Sequence, residues 1–416
     1  MLADAAPVIA ASVGVRAAFL WFKGPHAFSS DLGVWLEVGW RMSEGKNPYL
    51  ATGYFVWPPV WVQILYALHR VSERFAIPLE FVITAFLIAV ECVLIVVLIA
   101  LLRELGAARP RSIALAGIAL NPVCVILVCQ HGNFDVLVAL LVLLAVSALL
   151  RFQRSVEPVD WILACFWLGL AIALKSVPVL LTPLLVAGAR RLAPRVGLLG
   201  LALAAGPAAY GLGVLRALNA GDVRAVLRYR SSSGWFGVTG WLSRVGRAAW
   251  VPAYTHAATA AFVAIGVGLA VLAWRGRLSA PHRLVAAASL PLVAVPAIGP
   301  GYGPQYFYWF WPLLLVGWAL GDARLRRWIE IFGAVAAATY LFEYAVASLL
   351  GAFLAMRFPA ARDWFLGATP DFARYTLVGT PLWLVYLVLT FALARRALGL
   401  RAPAAPERGR PQPAPA

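Results

Sequence analysis

The sequence predicts an all-α, polytopic membrane protein that crosses the bilayer about twelve times. Hydrophobic residues make up 62% of the 416 residues and charged residues 13%, and the mean hydropathy is +0.82. A soluble core cannot absorb so much apolar surface. Apolar runs of roughly 16 to 25 residues recur along the chain, and in lipid each run must satisfy its own backbone hydrogen bonds, as a helix does.

The first apolar run is expected to stay in the protein as a helix, although a signal peptide is the other interpretation of such a run. No basic residue precedes it, and Phe19, Leu20 and Trp21 occupy the place where a cleavage site needs small residues. The predicted spans are 7–22, 78–102, 112–129, 134–150, 159–174, 177–189, 196–214, 252–274, 284–298, 306–320, 328–350 and 373–394.

Arginine clusters between the spans predict the topology. They fall in every second connection, and the positive-inside rule places such connections in the cytoplasm. Both termini are then cytoplasmic, and nearly every unusual polar cluster faces the opposite side. The clusters are Arg103, Arg109 and Arg111; Arg151 and Arg154; Arg190, Arg191 and Arg195; Arg275, Arg277 and Arg283; Arg324, Arg326 and Arg327; and Arg395, Arg396 and Arg401.

The segment 55–71 is apolar enough to cross the membrane but is predicted to be a re-entrant or surface-lying helix on the outer side. Pro58 and Pro59 stand at its start, and His69 and Arg70 at its end. Counting it as a span would also break the alternation of the arginine clusters.

The chain is expected to form one integral-membrane domain, residues 1–401, with outer loops at 23–77, 215–250 and 351–372. The proline-rich tail, 402–416, is predicted to be disordered and cytoplasmic. The net charge of +17 comes mostly from the arginine clusters, so it does not indicate a nucleic-acid partner. All four cysteines lie in apolar runs, which disfavours a disulfide framework.

Asp31 is the first candidate for chemistry at a membrane surface. It lies in the first long hydrophilic stretch and precedes a Trp-rich amphipathic segment, in which Glu37 and Arg41 are spaced i,i+4. A helix lying in the membrane interface would hold Asp31 near the lipid head groups. The alternative is that Asp31 only caps that helix.

A second polar cluster, Gln130–Asp135, lies where one span ends and the next begins. It contains His131, Asn133 and Asp135, an unusual density of hydrogen-bonding groups for a lipid-facing surface. Helix capping by Asn133 or Asp135 is the structural alternative. One histidine and one aspartate without a spaced partner make a weak metal-ligand pattern, so no metal is predicted.

Cationic residues on the predicted outer side indicate that an anion binds there. Lys175 follows an apolar run, where snorkelling to the interface is the alternative explanation. In the loop 215–250, Arg228 and Arg230 belong to a set of arginines that breaks the positive-inside rule, and a guanidinium fork matches phosphate oxygens. Contact with lipid head groups is the other interpretation. The outer turn 299–306 adds Gln305 and Tyr306 as groups that suit a sugar.

Taken together, these motifs resemble the GT-C superfamily of integral-membrane glycosyltransferases, and most of all the polyprenol-phosphate-mannose-dependent enzymes of glycosyltransferase family 87. The similarity extends over roughly residues 1 to 320 and depends on the order of short motifs. These are Asp31 in the first outer loop, Asn47-Pro48-Tyr49, Trp57-Pro58-Pro59, Asn121-Pro122, Gln130–Asn133, Gly169–Ala171 before Lys175 and Pro178, and Gln305-Tyr306 before Trp309 and Pro312.

The resemblance implies a GT-C-like fold with extracytoplasmic interfacial helices, in the cell membrane. It also implies transfer of a hexose from a polyprenyl-phosphate-linked donor to a lipid or glycan acceptor on the outer face, and mannose is the expected hexose. Asp31 would be the general base. Lys175, Arg228 and Arg230 would stabilise the departing phosphate. His131, Asn133, Asp135, Gln305 and Tyr306 would bind sugar or acceptor.

The chain departs from the family pattern in two places. Asp31 lacks the second aspartate of the Asp-X-Asp pair found in metal-dependent GT-C enzymes, so no cofactor is implied. The stretch 131–135 also differs from the Gly-Gln-Asn form associated with family 87. Two other classes remain: a secondary transporter or lipid flippase that uses Glu91, Lys175 and Glu343, and a noncatalytic scaffold of an envelope-polysaccharide complex.

Overall fold

The computed structural model describes residues 2–23, 30–50, 57–186, 192, 197, 237–301, 306–342 and 379–400. In these ranges the chain is helical and contains no β-strand, in agreement with the predicted all-α class. The helices are α1 (Leu2–Lys23), α2 (Ser30–Ser43), α3 (Pro59–Phe75), α4 (Leu79–Glu104), α5 (Pro110–Ala114), α6 (Pro122–Cys129), α7 (Asp135–Ser155), α8 (Pro158–Leu174), α9 (Gly237–Arg244), α10 (Val251–Trp274), α11 (Pro281–Ile298), α12 (Phe307–Leu320), α13 (Ala323–Tyr340) and α14 (Thr380–Ala397).

Five helices in the described residues are long and apolar enough to cross a membrane. Their length and composition support the prediction that the chain is a membrane protein. The predicted number of twelve spans is not confirmed, and the predicted span 196–214 lies almost wholly outside the described residues. The five are Ala3–Phe22, Leu79–Glu104, Asp135–Ser155, Ala248–Trp274 and Pro281–Ile298.

The predicted span 112–129 is bent in the structure. A π-helical turn, Leu115–Ala119, continues α5, and α6 then leaves at an angle of 51°. Pro122 has no N–H to donate at this point, and the Asn121 side chain accepts the Val123 N–H at 2.9 Å to start α6. The two pieces make a sixth crossing if they act as one broken span.

Helix α3 covers residues 59–71 of the segment that is predicted to lie at the surface and continues to Phe75. It has 17 residues and does not meet the apolar-length criterion for a span. Trp61, Val62 and Leu65 are buried on one face, whereas Arg70 and Glu73 form an exposed ion pair. An amphipathic helix of this kind agrees with the expected interfacial helix, and its depth in a membrane stays a prediction.

Ion pairs at the helix ends bring together two of the arginine clusters that are predicted to be cytoplasmic. Asp4, near the start of α1, pairs with both Arg103 and Arg111. Glu104, at the end of α4, pairs with Arg154 near the end of α7 at 3.0 Å. The ends of α4 and α7 therefore lie together, beside the start of α1.

A buried ionic network links α1, α4 and α12 about halfway along α4. Arg16 donates to the Glu91 carboxylate at 2.6 Å and to the Ala119 carbonyl at 2.6 Å, next to the break between α5 and α6. Ser12 and Tyr308 also donate to Glu91. All these side chains are fully buried, so each charge is compensated within the protein.

Candidate active site

Asp31 lies in the first turn of α2 and meets the turn between α6 and α7. Its Oδ2 accepts a hydrogen bond from Asn133 Nδ2 at 2.9 Å and lies 3.3 Å from His131 Nδ1. Among the described residues, both contacts are made to this one oxygen. The Asp31 side chain is 20% exposed, while the Asn133 residue is 2% exposed. The carboxylate therefore stands at the edge of a buried polar cluster, with one oxygen held and with access to solvent.

Gly132 allows the turn to approach α2. Its φ is +62°, a left-handed conformation that is costly for residues with a Cβ, and a Cβ there would lie 3.1 Å from Leu32 Cδ1. The Gly132 carbonyl also accepts a hydrogen bond from Trp35 Nε1 at 3.0 Å. Leu32 and Trp35 are one helical turn apart on the buried face of α2. This face sets the position of Asp31 relative to the turn.

Asn133 connects the Asp31 carboxylate to the backbone of Asp135. Its Nδ2 donates to Asp31, and its Oδ1 accepts the backbone N–H of Asp135 at 3.0 Å. The second bond satisfies a free N–H at the start of α7, as the capping alternative for Asn133 requires, although the N-cap position itself is Phe134. Asn133 thus has a capping contact and a site contact at once.

Asp135 and Lys175 form a buried ion pair. Asp135 is the first residue of α7, and Lys175 directly follows α8, which packs against α7. Lys175 Nζ lies 2.7 Å from Asp135 Oδ1, and the two side chains are 12% and 1% exposed. A negative charge at a helix start and a positive charge at a helix end both suit the helix dipoles.

Aromatic rings surround the Lys175 ammonium. Its Nζ lies 4.7 Å from the ring centroid of Trp309, 5.3 Å from that of Phe134 and 5.7 Å from that of Tyr306. Tyr306 and Trp309 stack on each other with centroids 4.0 Å apart. Electron-rich ring faces at these distances stabilise a cation in a partly desolvated site. The ammonium is consequently held in a fixed place.

A second aromatic cluster supports the turn from the side of α3. Trp61 stacks on Phe134 at 4.4 Å, and Trp35 makes edge contacts with Trp57 at 4.6 Å and with Trp61 at 5.6 Å. Tyr49 donates from its hydroxyl to the Trp57 carbonyl at 2.9 Å. The polar groups of the site therefore rest on large rings with few rotameric states.

The structure brings together six residues that the sequence proposed from four different segments: Asp31, His131, Asn133, Asp135, Lys175 and Tyr306. Arg228, Arg230 and Gln305 lie outside the described residues. The sequence interpretation missed the ion pair between Asp135 and Lys175, because it assigned Lys175 to the donor phosphate and Asp135 to sugar or acceptor hydroxyls. It also missed the supporting roles of Gly132 and Trp61. A glycine between His131 and Asn133 was the available signal for a left-handed turn.

The site has the components of an acid-base centre beside a cation. Asp31 is a carboxylate that can accept a proton, and Asn133 and His131 fix its orientation. Lys175 supplies a positive charge about three hydrogen bonds away, through Asp135 and Asn133. Where the structure describes the chain, no group of three or more His, Cys, Asp or Glu side chains is arranged to hold a metal ion.

Comparison with known protein families identifies the family of the chain. The family model of glycosyltransferase family 87 matches residues 55–298, more than half of the chain. The matched range includes the turn 130–135 and Lys175, and it begins after Asp31. No curated protein matches the chain.

Proposed function

Because the chain belongs to glycosyltransferase family 87, we propose that it transfers a hexose from a polyprenyl-phosphate-linked donor to a lipid or glycan acceptor. The family makes the protein a glycosyltransferase, with a sugar donor and an acceptor as substrates. The finer proposal is that the sugar is mannose and that transfer takes place at the extracytoplasmic face of the cell membrane. The continuous link from Asp31 through Asn133 and Asp135 to Lys175 is the observation that carries the proposal.

In the proposed reaction, Asp31 takes the proton from an acceptor hydroxyl as that oxygen attacks the anomeric carbon. A bond forms between the acceptor oxygen and the anomeric carbon, and the bond from that carbon to the phosphate oxygen breaks. The polyprenyl phosphate leaves with the electron pair. A phosphate needs no proton to leave, so one carboxylate suffices, and the exposure of Asp31 gives an acceptor access to it.

The described part of the site carries more negative than positive charge, so a phosphate there needs further cations. Asp135 already neutralises Lys175, and Asp31 adds a second negative charge. The phosphodiester of the donor, and the phosphate monoester that leaves, would therefore meet a described site with more negative than positive charge. Arg228 and Arg230 remain our candidates for the missing positive charge, because guanidinium groups bind phosphate oxygens in pairs.

The rings around Lys175 suit the sugar of the donor. Tyr306 and Trp309 form a stacked pair next to the ammonium. In our proposal a pyranose lies beside these rings while His131, Asn133 and Asp135 orient sugar or acceptor hydroxyls. Gln305, the neighbour of Tyr306, is proposed to contact the same substrate.

Mass spectrometry of envelope glycolipids and glycans tests the proposed function. Cells with and without the protein are compared, and purified protein in liposomes is then supplied with a polyprenyl-phosphate-mannose donor. We expect one hexose to be missing from a glycolipid or glycan without the protein, and mannose to be transferred in the liposomes. An unchanged glycolipid and glycan profile, together with no transfer from any polyprenyl-phosphate sugar, would refute the proposal.

A further inference from the structure

A cavity lined by basic and apolar side chains lies far from the candidate active site. It has a volume of about 600 Å³ and is bounded by α11, α13 and α14. Tyr306, in the candidate active site, lies immediately before the start of α12. Asp322, which lines the cavity, lies two residues after the end of the same helix. Helix α12 has 14 residues and is about 21 Å long, so the two sites lie at opposite ends of it.

The lining of the cavity is strongly basic. It includes four arginines and a histidine, and one acidic residue, Asp322. Asp322 pairs with Arg396 at 2.6 Å, and the Leu325 N–H and the Arg396 guanidinium hold the pKa of the Asp322 carboxyl below its ordinary value. The basic residues are His282, Arg283, Arg324, Arg395 and Arg396.

Arg283 is fitted closely into this surface. A Cβ on Gly399 would lie 2.7 Å from Arg283 Cζ, so the guanidinium packs directly against the glycine. Gly399 has a φ of +73°, which glycine adopts at little cost where α14 ends. The backbone of the turn after α14 therefore contacts the guanidinium of Arg283 on α11.

An apolar stripe leads from the cavity along α14. Leu384, Val388 and Phe391 are 50%, 37% and 65% exposed, and their spacing places them on one face of the helix. Val388 and Phe391 also line the cavity. If α14 crosses the membrane as the predicted span 373–394 requires, this face would meet lipid acyl chains; α14 is not among the five helices that meet the apolar-length criterion. An exposed apolar face of α14 is therefore continuous with the guanidinium groups of the cavity.

We propose that this cavity binds the head group of an anionic phospholipid of the surrounding membrane, with an acyl chain along Leu384, Val388 and Phe391. Guanidinium groups match phosphate oxygens, and basic pockets between membrane helices bind anionic head groups. The separation from Tyr306 means that a donor in the candidate active site is a different molecule. The lipid site therefore does not depend on the transfer reaction.

Native mass spectrometry of the full chain tests this proposal with phosphatidylglycerol as the probe. The cavity variant is Arg283→Gln, Arg324→Gln and Arg395→Gln. The control is Arg275→Gln, Arg277→Gln and Arg327→Gln, three exposed arginines outside the cavity with the same change in net charge. We expect the cavity variant to bind phosphatidylglycerol about tenfold more weakly and the control to bind as the unchanged protein does.

Three outcomes would overturn the proposal: equal losses in both variants, equal retention of phosphatidylcholine by the unchanged protein, or displacement of the lipid by millimolar inorganic phosphate. The last would assign the cavity to a free anion. Because a triple variant can fail to fold, the unchanged protein is also treated with phosphatidylglycerol that carries a photoreactive acyl chain. We expect adducts on residues 384–391, fewer of them in Arg395→Gln, and adducts only elsewhere would contradict the proposal.

Discussion

At the scale of single residues, Gly132 determines whether His131 and Asn133 reach Asp31. Its left-handed backbone strains any residue with a Cβ, and a Cβ there would press on Leu32 Cδ1 at 3.1 Å. The residues on either side of it supply both contacts to the Asp31 carboxylate. A change at this glycine therefore tests the local geometry without removing a polar group.

We expect Gly132→Ala to lower the free energy of unfolding by about 1–2 kcal/mol, the cost of a left-handed alanine, and to slow transfer because Asn133 moves away from Asp31. Thermal unfolding in detergent and transfer in liposomes measure the two effects. Gly33→Ala is the control, because a Cβ there meets nothing within 4 Å and alanine favours the helix. Equal behaviour of the two variants would show that the turn does not position the site.

At the scale of secondary structure, α7 and α8 bring together two charges from distant parts of the sequence. Asp135 is the first residue of α7 and Lys175 directly follows α8, and both side chains are largely buried. A buried pair depends on both partners, since a lone charge left in the interior is costly.

Lys175→Gln alone is expected to lower the free energy of unfolding by about 3–5 kcal/mol, because Asp135 loses its counter-charge. The double change Asp135→Asn with Lys175→Gln should recover much of that stability but not the transfer activity. Denaturant titration and a transfer assay separate the two. The control pair is Glu104 and Arg154, at the other end of α7, whose removal should cost about 0–1 kcal/mol. Additive losses at Asp135 and Lys175 would contradict the coupling.

The sequence was sufficient to predict the helical membrane class and the family, and it named six residues that the structure places near one another. The apolar runs and the arginine clusters carry that information locally. It was not sufficient for contacts between helices, such as Asp135 with Lys175 or Arg16 with Glu91, because these depend on helix packing. The bend at Asn121 was also missed, although Pro122 marks a position where a backbone hydrogen bond is lost.

At the scale of the whole molecule, the buried Arg16–Glu91 pair bears on the transporter interpretation. Intramembrane charges are typical of transport pathways. Here Glu91 is fully buried and receives hydrogen bonds from Arg16, Ser12 and Tyr308. Membership of a glycosyltransferase family agrees better with a structural role for this network.

We therefore expect Glu91→Gln to lower the free energy of unfolding by about 3–5 kcal/mol, and Arg16→Met with Glu91→Met to be less harmful than either single change. Thermal unfolding of the purified variants measures this. Donor binding by whatever fraction stays folded should be unchanged. A Glu91→Gln protein of full stability that cannot move a substrate across liposomes would instead support a transporter.

The overall charge of the site gives a further prediction. Arg228→Gln with Arg230→Gln should weaken binding of the polyprenyl-phosphate donor about tenfold or more, because the described site lacks positive charge beyond Lys175. Equilibrium binding of a labelled donor measures the effect. Arg244→Gln with Arg247→Gln, in the same predicted outer loop, is the charge-matched control. Unchanged donor affinity in the first variant would remove these arginines from the phosphate site.

The central claim is that Asp31 accepts the proton of the acceptor hydroxyl. We would measure the rate of sugar transfer and the affinity for donor in liposomes for Asp31→Asn, with Glu37→Gln as a carboxylate control on the same helix. The proposed role predicts a loss in transfer rate of about 10²–10⁴-fold with donor affinity and folding retained, and a normal rate for the control. A normal transfer rate in Asp31→Asn would contradict the account.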